Sequence, residues 1–254
     1  MSAGFRRTLV AASVALSSWL VLGTSRADES AAARRAAAAR EMDRPYTMAE
    51  LGVGLLTLPA ADVCIRSVKD CEQGETSVGV GIQNIYRVHS FGFGAGILYA
   101  TTLRSDAARG DKDLDGDGNL DLERDHSRKY FLVEGLFRYY LLRSGSWEWW
   151  GGAAIGGVVV NDSWTTKADR EPYSDTAYSG PRAATIGTEG LTTGLAIGGE
   201  WTFAANWSFG TVLRYSSWFL PSTPETSPTG DIASLNGRVD MFDFGLAIAY
   251  RIAL

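Results

Sequence analysis

The carboxyl-terminal segment constrains the fold of this chain more than any other feature. Residues 242–254, FDFGLAIAYRIAL, alternate without interruption between large apolar residues and small or charged ones. Successive residues of a β-strand point to opposite faces of a sheet, so this segment has one wholly apolar face. Such a face is typical of a transmembrane β-strand, which presents it to lipid.

The amino terminus indicates that the protein is exported. Residues 1–27 combine a short basic region, an apolar run from Thr8 to Leu22 and a Ser-Arg-Ala cleavage site before Asp28. This pattern predicts a secretory signal peptide. Residues 28–45, which are rich in Ala and Arg, have no apolar stripe and are predicted to be a periplasmic lead-in.

Charge and cysteine content narrow the classes of function. Removal of residues 1–27 takes away three arginines and no acidic residue, which leaves 21 Lys and Arg against 29 Asp and Glu, a formal charge of −8. Nucleic acid is therefore not an expected partner, because its phosphates bind basic surfaces. Cys64 and Cys71 lie in one polar stretch that contains no His. In an exported protein this pair predicts a disulfide that closes a small loop.

Eight segments from Tyr46 onward alternate like the last one, and each is long enough to cross a bilayer as a tilted strand of about 10 residues. The predicted strands are residues 46–58, 76–88, 91–103, 130–141, 147–160, 190–203, 207–217 and 239–254. Asn84 and Thr193 are polar interruptions of the outward apolar set. The inward positions are mostly Gly and Ala, which suit the crowded interior of a small barrel better than a water-facing surface.

The connections between these segments are short on one rim and long on the other. Short turns are predicted at residues 89–90, 142–146 and 204–206, whereas the other four connections are long and polar. This asymmetry is typical of outer-membrane barrels, which have short periplasmic turns and long extracellular loops. Aromatic residues at the strand ends predict two interfacial belts. The periplasmic belt is predicted to contain Tyr46, Phe91, Tyr139, Trp147, Trp149, Trp201, Phe203, Trp207 and Tyr250, and the outer belt Tyr99, Phe131, Tyr215, Phe219 and Phe242.

With its export pattern, alternation, turn asymmetry and final strand, the chain resembles the small eight-stranded outer-membrane barrels, a group that includes the OmpA transmembrane domain and the OmpX and OmpW types. The resemblance covers residues 46–254 and departs at Leu254, where the family usually has Phe. It implies an all-β, eight-stranded antiparallel up-and-down transmembrane β-barrel in the bacterial outer membrane. It also implies contact with outer-membrane lipid and lipopolysaccharide, and insertion by the barrel-assembly machinery, to which such a final strand is presented. We expect a monomer.

Nine charged residues fall on the predicted inward face: Glu50, Arg87, Glu134, Arg138, Glu148, Glu200, Arg214, Asp243 and Arg251. A charge network within the lumen is predicted for Glu134, Arg138, Glu200, Arg214 and Asp243. The short turns place Glu134 opposite Ala154, and Arg138 opposite Trp150, where a cation–π contact is expected. The favoured interpretation is a packed network that fills a narrow barrel, and the alternative is an ion path or gate.

One loop carries a metal-like pattern. The residues with oxygen ligands at alternating positions are Asp113, Asp115, Asp117, Asn119, Asp121 and Glu123, with Gly118 at the sixth position. This spacing resembles a Ca²⁺-binding loop of the D-x-D-x-D-G type, in which glycine permits a sharp turn. Arg124 occupies the twelfth position, where a bidentate glutamate is usual. A weak Ca²⁺ site and a solvated acidic loop are both open interpretations.

Catalytic residues are scarce in this sequence. His89 lies in a predicted periplasmic turn, and His126 has Asp125 and Ser127 as neighbours, whose side chains point away from it in an extended chain. The sequence therefore predicts a non-enzymatic barrel whose long loops serve surface interaction or envelope integrity, through an extracellular ligand or surface. A narrow channel for small or apolar solutes is the alternative, and a lipid A-modifying hydrolase is less favoured.

Overall fold

A computed structural model describes residues 45–59, 74–103, 106–109, 123–166, 183–227 and 232–254. The strands are β1 (Tyr46–Leu58), β2 (Glu75–Val88), β3 (Phe91–Thr102), β4 (Asp106–Arg109), β5 (Glu123–Ser144), β6 (Trp147–Thr166), β7 (Ala183–Thr202), β8 (Trp207–Phe219) and β9 (Arg238–Ala253). Sequential neighbours pair antiparallel, β3 pairs with β5, and β1 also pairs with β9. Eight strands thus close a barrel, and the short β4 lies beside the start of β5. The predicted fold class is confirmed.

Tight turns join the strands at the rim opposite the long connections. His89-Ser90 joins β2 to β3, and Gly145-Ser146 joins β5 to β6. His89 has a φ of 54° and Gly145 a φ of 63°. Two-residue hairpin loops need this left-handed conformation, because it matches the twist of the flanking strands.

The predicted five-residue turn at 142–146 is wrong. Both strands continue to the Gly145-Ser146 turn, and an irregularity between Tyr140 and Leu142 absorbs one residue. Glu134 therefore lies opposite Gly156 rather than Ala154, and Arg138 opposite Gly152 rather than Trp150. Because this shift is of two residues, each side chain keeps its predicted face.

The outward surface of the barrel is largely apolar, as expected of a lipid-facing band. Ile155 is 70% exposed and Leu195 is 67% exposed, and the apolar residues of the final strand also point outward. Tyr46 is an exception to the predicted belt, since it is only 6% exposed and shares the inward face with Glu50. Residues that are an even number of positions apart on a strand point to the same face. Tyr46 is four residues from Glu50, so both side chains point into the lumen. Within the described ranges, no helix is long and apolar enough to cross a membrane.

Strands β5, β6 and β7 are longer than predicted, with 22, 20 and 20 residues. Their outward residues change from apolar to polar at one level of the barrel. The last apolar outward residues are Phe131, Val159 and Leu191, and the next outward residues along these strands are Lys129, Asn161 and Glu189. We call residues 106–109, 123–129, 161–166 and 183–190 the outer extension. The prediction stopped where outward apolarity stopped, although strand pairing continues beyond the lipid band.

The backbone of β5 passes close to β6 at Gly156. A side chain at Gly156 would collide with the carbonyl group of Val133. Gly156 lies opposite Glu134. Glycine is therefore required at this inward position by the neighbouring backbone.

Candidate functional site in the barrel interior

An ionic layer fills the interior near the turn rim. Arg138 donates to both carboxylate oxygens of Glu50, at 2.7 and 2.6 Å, and to Glu200 at 3.3 Å. It also donates to Gln83 at 2.7 Å. Its guanidinium carbon lies 4.0 Å from the centre of the Trp150 ring, so the expected cation–π contact forms despite the shifted register. All four groups that hold Arg138 come from other strands, which ties the barrel across its lumen.

Two more arginines complete this layer. Arg87 makes a bidentate contact with Glu148 at 2.5 and 2.6 Å, and Arg251 contacts Glu200 at 3.0 Å and Glu148 at 3.9 Å. Arg87 also donates to the Tyr46 hydroxyl at 2.9 Å. We call this set the inner ionic layer, and its members are Glu50, Arg87, Arg138, Glu148, Glu200 and Arg251. Three guanidinium groups thus face three carboxylates in a buried network, and their pairing offsets part of the cost of removing them from water.

A second set of charges lies farther from the turn rim. Arg214 is ion-paired with Glu134, and with Asp243 at 3.0 Å. Thr192 donates to Glu134 at 3.4 Å. We call Glu134, Arg214 and Asp243 the central cluster. It holds two carboxylates against one guanidinium, and all three residues are buried.

A small cavity separates the inner ionic layer from the central cluster. Its volume is about 60 Å³, enough for a few water molecules. Charged groups from both sets line it: Glu50, Glu134, Arg138, Glu200, Arg214 and Asp243. The cavity could hold water or a small ion between the two sets of charges.

Apolar side chains fill the lumen beyond the central cluster. We call this group the apolar plug, and its members are Leu56, Leu58, Ala100, Tyr130, Leu132, Val158, Val160, Trp218, Leu220, Leu235, Val239 and Met241. Trp218 and Leu132 have no exposed surface, and the rings of Tyr130 and Trp218 lie 5.3 Å apart. This packed and mainly apolar layer obstructs the passage of ions, because it offers few polar groups to replace their hydration.

A polar cluster missed by the sequence analysis lies inside the outer extension. His126 Nε2 lies 2.7 Å from Asp162, and the ring of His126 stacks on Trp164 at 4.8 Å. Ser234 donates to the same aspartate from its hydroxyl at 2.6 Å and its backbone N–H at 3.1 Å. Arg128 approaches Asp162 at 3.9 Å. The inward alternation of His126, Arg128 and Tyr130 could have revealed this cluster, had β5 been extended past Tyr130.

The predicted site residues divide between described and undescribed parts of the chain. The lumen residues Glu134, Arg138, Glu200, Arg214 and Asp243 all point inward, split between the inner ionic layer and the central cluster. The sequence analysis missed the polar contacts of Gln83 to Arg138 and of Thr192 to Glu134, and also that of the Tyr46 hydroxyl to Arg87. Of the proposed Ca²⁺ ligands, Glu123 begins β5 opposite Arg109. Asp113, Asp115, Asp117, Asn119 and Asp121 lie outside the described residues, as do Cys64, Cys71 and residues 1–44. In the part of the chain that the structure describes, no three His, Cys, Asp or Glu residues are grouped to hold a metal ion.

A closed eight-stranded barrel with an apolar outer band, aromatic rims and a charged interior defines an outer-membrane β-barrel. The protein is therefore located in the outer membrane.

Comparison with known proteins identifies similar folds and no sequence relative. No family model matches the chain, and no curated protein sequence matches it. Neisserial surface protein A is similar, with a TM-score of 0.48 and 8% identity over 82% of this chain and 97% of that one. A major outer membrane protein from Thermus thermophilus has a TM-score of 0.47 and 15% identity over 82% and 99% of the two chains. Ail, the attachment invasion locus protein of Yersinia pestis, has a TM-score of 0.42 and 11% identity over 83% and 99%. At these identities the similarity concerns the fold alone.

Proposed function

We propose that this protein is a closed, non-enzymatic outer-membrane barrel that presents its outer extension and long loops for surface interaction, and so contributes to envelope integrity. The observation that carries the proposal is the continuation of β5, β6 and β7 beyond the apolar band. A strand needs about 10 residues to cross a bilayer. Of the 20 to 22 residues of these strands, six to eight in each strand belong to the outer extension, roughly a third, and form a water-facing platform. The outward residues of that platform are polar or small, in accord with exposure to water.

The filled lumen supports a closed barrel over the alternative of a narrow channel. Ions would have to break the pairing of the inner ionic layer and then cross the apolar plug. The cavity between the two charge sets favours the channel alternative, but the inner ionic layer lies on one side of it, and the apolar plug lies beyond the central cluster on the other. Planar-bilayer recording of the purified barrel tests this step. We expect no steady open-pore current, and a steady current would refute the closed barrel.

The position of His126 supports a non-enzymatic role. His126 is 1% exposed and Asp162 is fully buried, so substrate has no access to this pair in the described structure. Ser234 Oγ donates to Asp162 rather than to His126, so it is not arranged as a nucleophile activated by the imidazole. We infer that the cluster anchors residues 232–237 against the outer extension. His126→Phe should leave lipid A deacylation by membranes containing the protein at the background of vector-only membranes, as the wild type does. Deacylation above background that His126→Phe abolishes would contradict this.

Ca²⁺ binding by residues 113–123 is a separate part of the proposal. The alternating oxygen ligands support it, and Ca²⁺ would stiffen a loop next to the outer extension. Titration calorimetry of the refolded barrel should show weak binding that Asp115→Asn and Asp117→Asn together remove. Absence of heat at millimolar Ca²⁺ would end this part of the proposal and leave the surface role standing.

The surface role can be tested by removing the extension from β6 and β7. Residues 161–187 are replaced by Asn-Gly, which favours a tight hairpin between Val160 and Thr188, two residues that already face each other. We expect the shortened barrel to fold, as shown by heat-modifiable gel migration. Cells that carry it should lose attachment to epithelial monolayers and tolerance to detergent relative to cells with the full chain. Equal behaviour of the two strains, with both barrels folded, would refute a role for the extension.

A further inference from the structure

The lipid-facing surface carries an amide where lipid offers it no partner. Asn84 points outward from β2, with apolar Ile82 on one side and Tyr86 on the other. It lies four residues from Val88, where β2 meets the turn rim. At about 3.3 Å per residue and a tilt of about 40°, this places Asn84 about 10 Å from the turn rim along the barrel axis. Ile82, on its far side, is exposed, so the outward side of Asn84 faces the lipid band.

Only half of the amide group has a hydrogen-bond partner. The Thr47 hydroxyl donates to Asn84 Oδ1 at 3.1 Å. The two N–H groups of the Asn84 amide meet no acceptor among the described residues. In hydrocarbon such groups are costly, and polar side chains at this depth are usually found bonded to another protein segment.

The residues beside Asn84 permit a close approach by another protein. Its lateral neighbours on the same outward row are Ala49 on β1 and Ala95 on β3, and Gly135 on β5 follows Ala95. A Cβ atom at Gly135 would come no closer than 3.7 Å to its nearest neighbour, so this end of the row is open. Small residues at membrane interfaces allow backbones to approach, and polar side chains between them then hydrogen-bond across the contact.

We propose that Asn84 marks a lateral interface with a second copy of this chain. An asparagine amide is both donor and acceptor, so two copies related by a two-fold axis can satisfy each other's N–H groups through reciprocal amide bonds. A lipid acyl chain has neither a hydrogen-bond donor nor an acceptor, so contact with lipid leaves the N–H groups of the amide without partners. The larger outward residues on either side of the row, such as Ile82 and Phe93, supply apolar contact around the polar centre. The proposal differs from the monomer expected from the sequence, and it is independent of the surface role proposed above.

Photo-crosslinking in outer-membrane vesicles tests this interface. Ile82→p-benzoyl-phenylalanine places the probe beside Asn84, and Leu195→p-benzoyl-phenylalanine places it on β7, four strands away in the eight-stranded barrel. We expect an adduct of twice the chain mass from position 82 and none from position 195. Asn84→Leu, added to the position 82 probe, should weaken that adduct about tenfold, the loss expected for two hydrogen bonds in lipid. Asn84→Gln should retain it.

A matched control separates the amide from general polarity. Thr193→Val removes another polar side chain of the lipid-facing surface, on β7, and should leave the adduct unchanged. Heat-modifiable migration of every variant verifies that the barrel is folded. The proposal is overturned if position 82 gives no dimer adduct, if it captures lipid or a different protein instead, or if Asn84→Leu leaves the adduct intact.

Discussion

Replacement of Arg214 by methionine removes the only guanidinium of the central cluster and leaves its two carboxylates buried. Arg214, Glu134 and Asp243 are 6%, 4% and 8% exposed. At an effective dielectric constant of about 20, the attraction across the 3.0 Å between Arg214 and Asp243 is about 5 kcal/mol before desolvation. Removing one partner of a buried ion pair typically costs about 3–5 kcal/mol, because the remaining charge is uncompensated. We therefore expect Arg214→Met to lower the free energy of unfolding by about 3–5 kcal/mol.

Urea unfolding of the barrel in lipid vesicles, followed by tryptophan fluorescence, measures this change. The triple variant Arg214→Met, Glu134→Gln, Asp243→Asn removes all three charges and should recover most of the loss. Arg238→Met is the control, since Arg238 is an exposed arginine paired with Asp240 on the outer surface. It should leave the unfolding midpoint nearly unchanged, because exposed ion pairs contribute little.

Two results would refute the reasoning on Arg214. One is a loss of less than about 1 kcal/mol in the single variant, which would place the cluster in contact with water. The other is a triple variant no more stable than the single one. That result would show that Arg214→Met destabilises the barrel through the shape of the methionine side chain and not through the lost charge.

Three further changes are predicted. Trp150→Leu removes the ring under Arg138 and should cost about 0.5–2 kcal/mol in urea unfolding, whereas a neutral effect would exclude a cation–π contribution. Trp218→Ala should cost about 3–5 kcal/mol through the cavity it leaves, yet show no steady current in planar bilayers, since the inner ionic layer still fills the lumen. Asp240 lies beyond Phe242, the last apolar outward residue of β9 toward the long loops, and its pKa is lowered, chiefly by a hydrogen bond from Ser217. Its contribution to stability is therefore present above the ordinary aspartate pKa and is lost as pH falls through the lowered one. Asp240→Asn should flatten the acid limb of the stability profile, and an unchanged limb would contradict the assignment.

The barrel could be predicted because every membrane-crossing strand shows the two-residue alternation of large apolar and small or charged residues. Alternation fixes which side chains face lipid, and a register error of two residues at the Gly145 turn left those faces intact. The predicted length of the turn was wrong, because no sequence pattern reliably indicates the bulge near Leu141. Tyr46 was assigned to the aromatic belt because it is aromatic. Its even spacing from Glu50 on the same strand places its side chain in the lumen instead.

The interior network could be predicted only as a set of inward charges. The pairing of Arg138 with Glu50, from β5 to β1, depends on how the cylinder closes and not on sequence distance. The cluster around His126 was missed because the strand was ended at the lipid boundary. The signal peptide, the disulfide and the Ca²⁺ loop fall outside the described residues and stay predictions.

The seam between β1 and β9 joins the two ends of the barrel, and it changes the role of the lumen charges during assembly. Glu50 reaches Arg138 only when β1 has come round to complete the cylinder. A sheet that has not closed leaves that guanidinium without its bidentate carboxylate in the interior. We therefore expect the bidentate pairing of Arg138 to depend on closure, so that the buried charges stabilise the closed barrel over the open sheet.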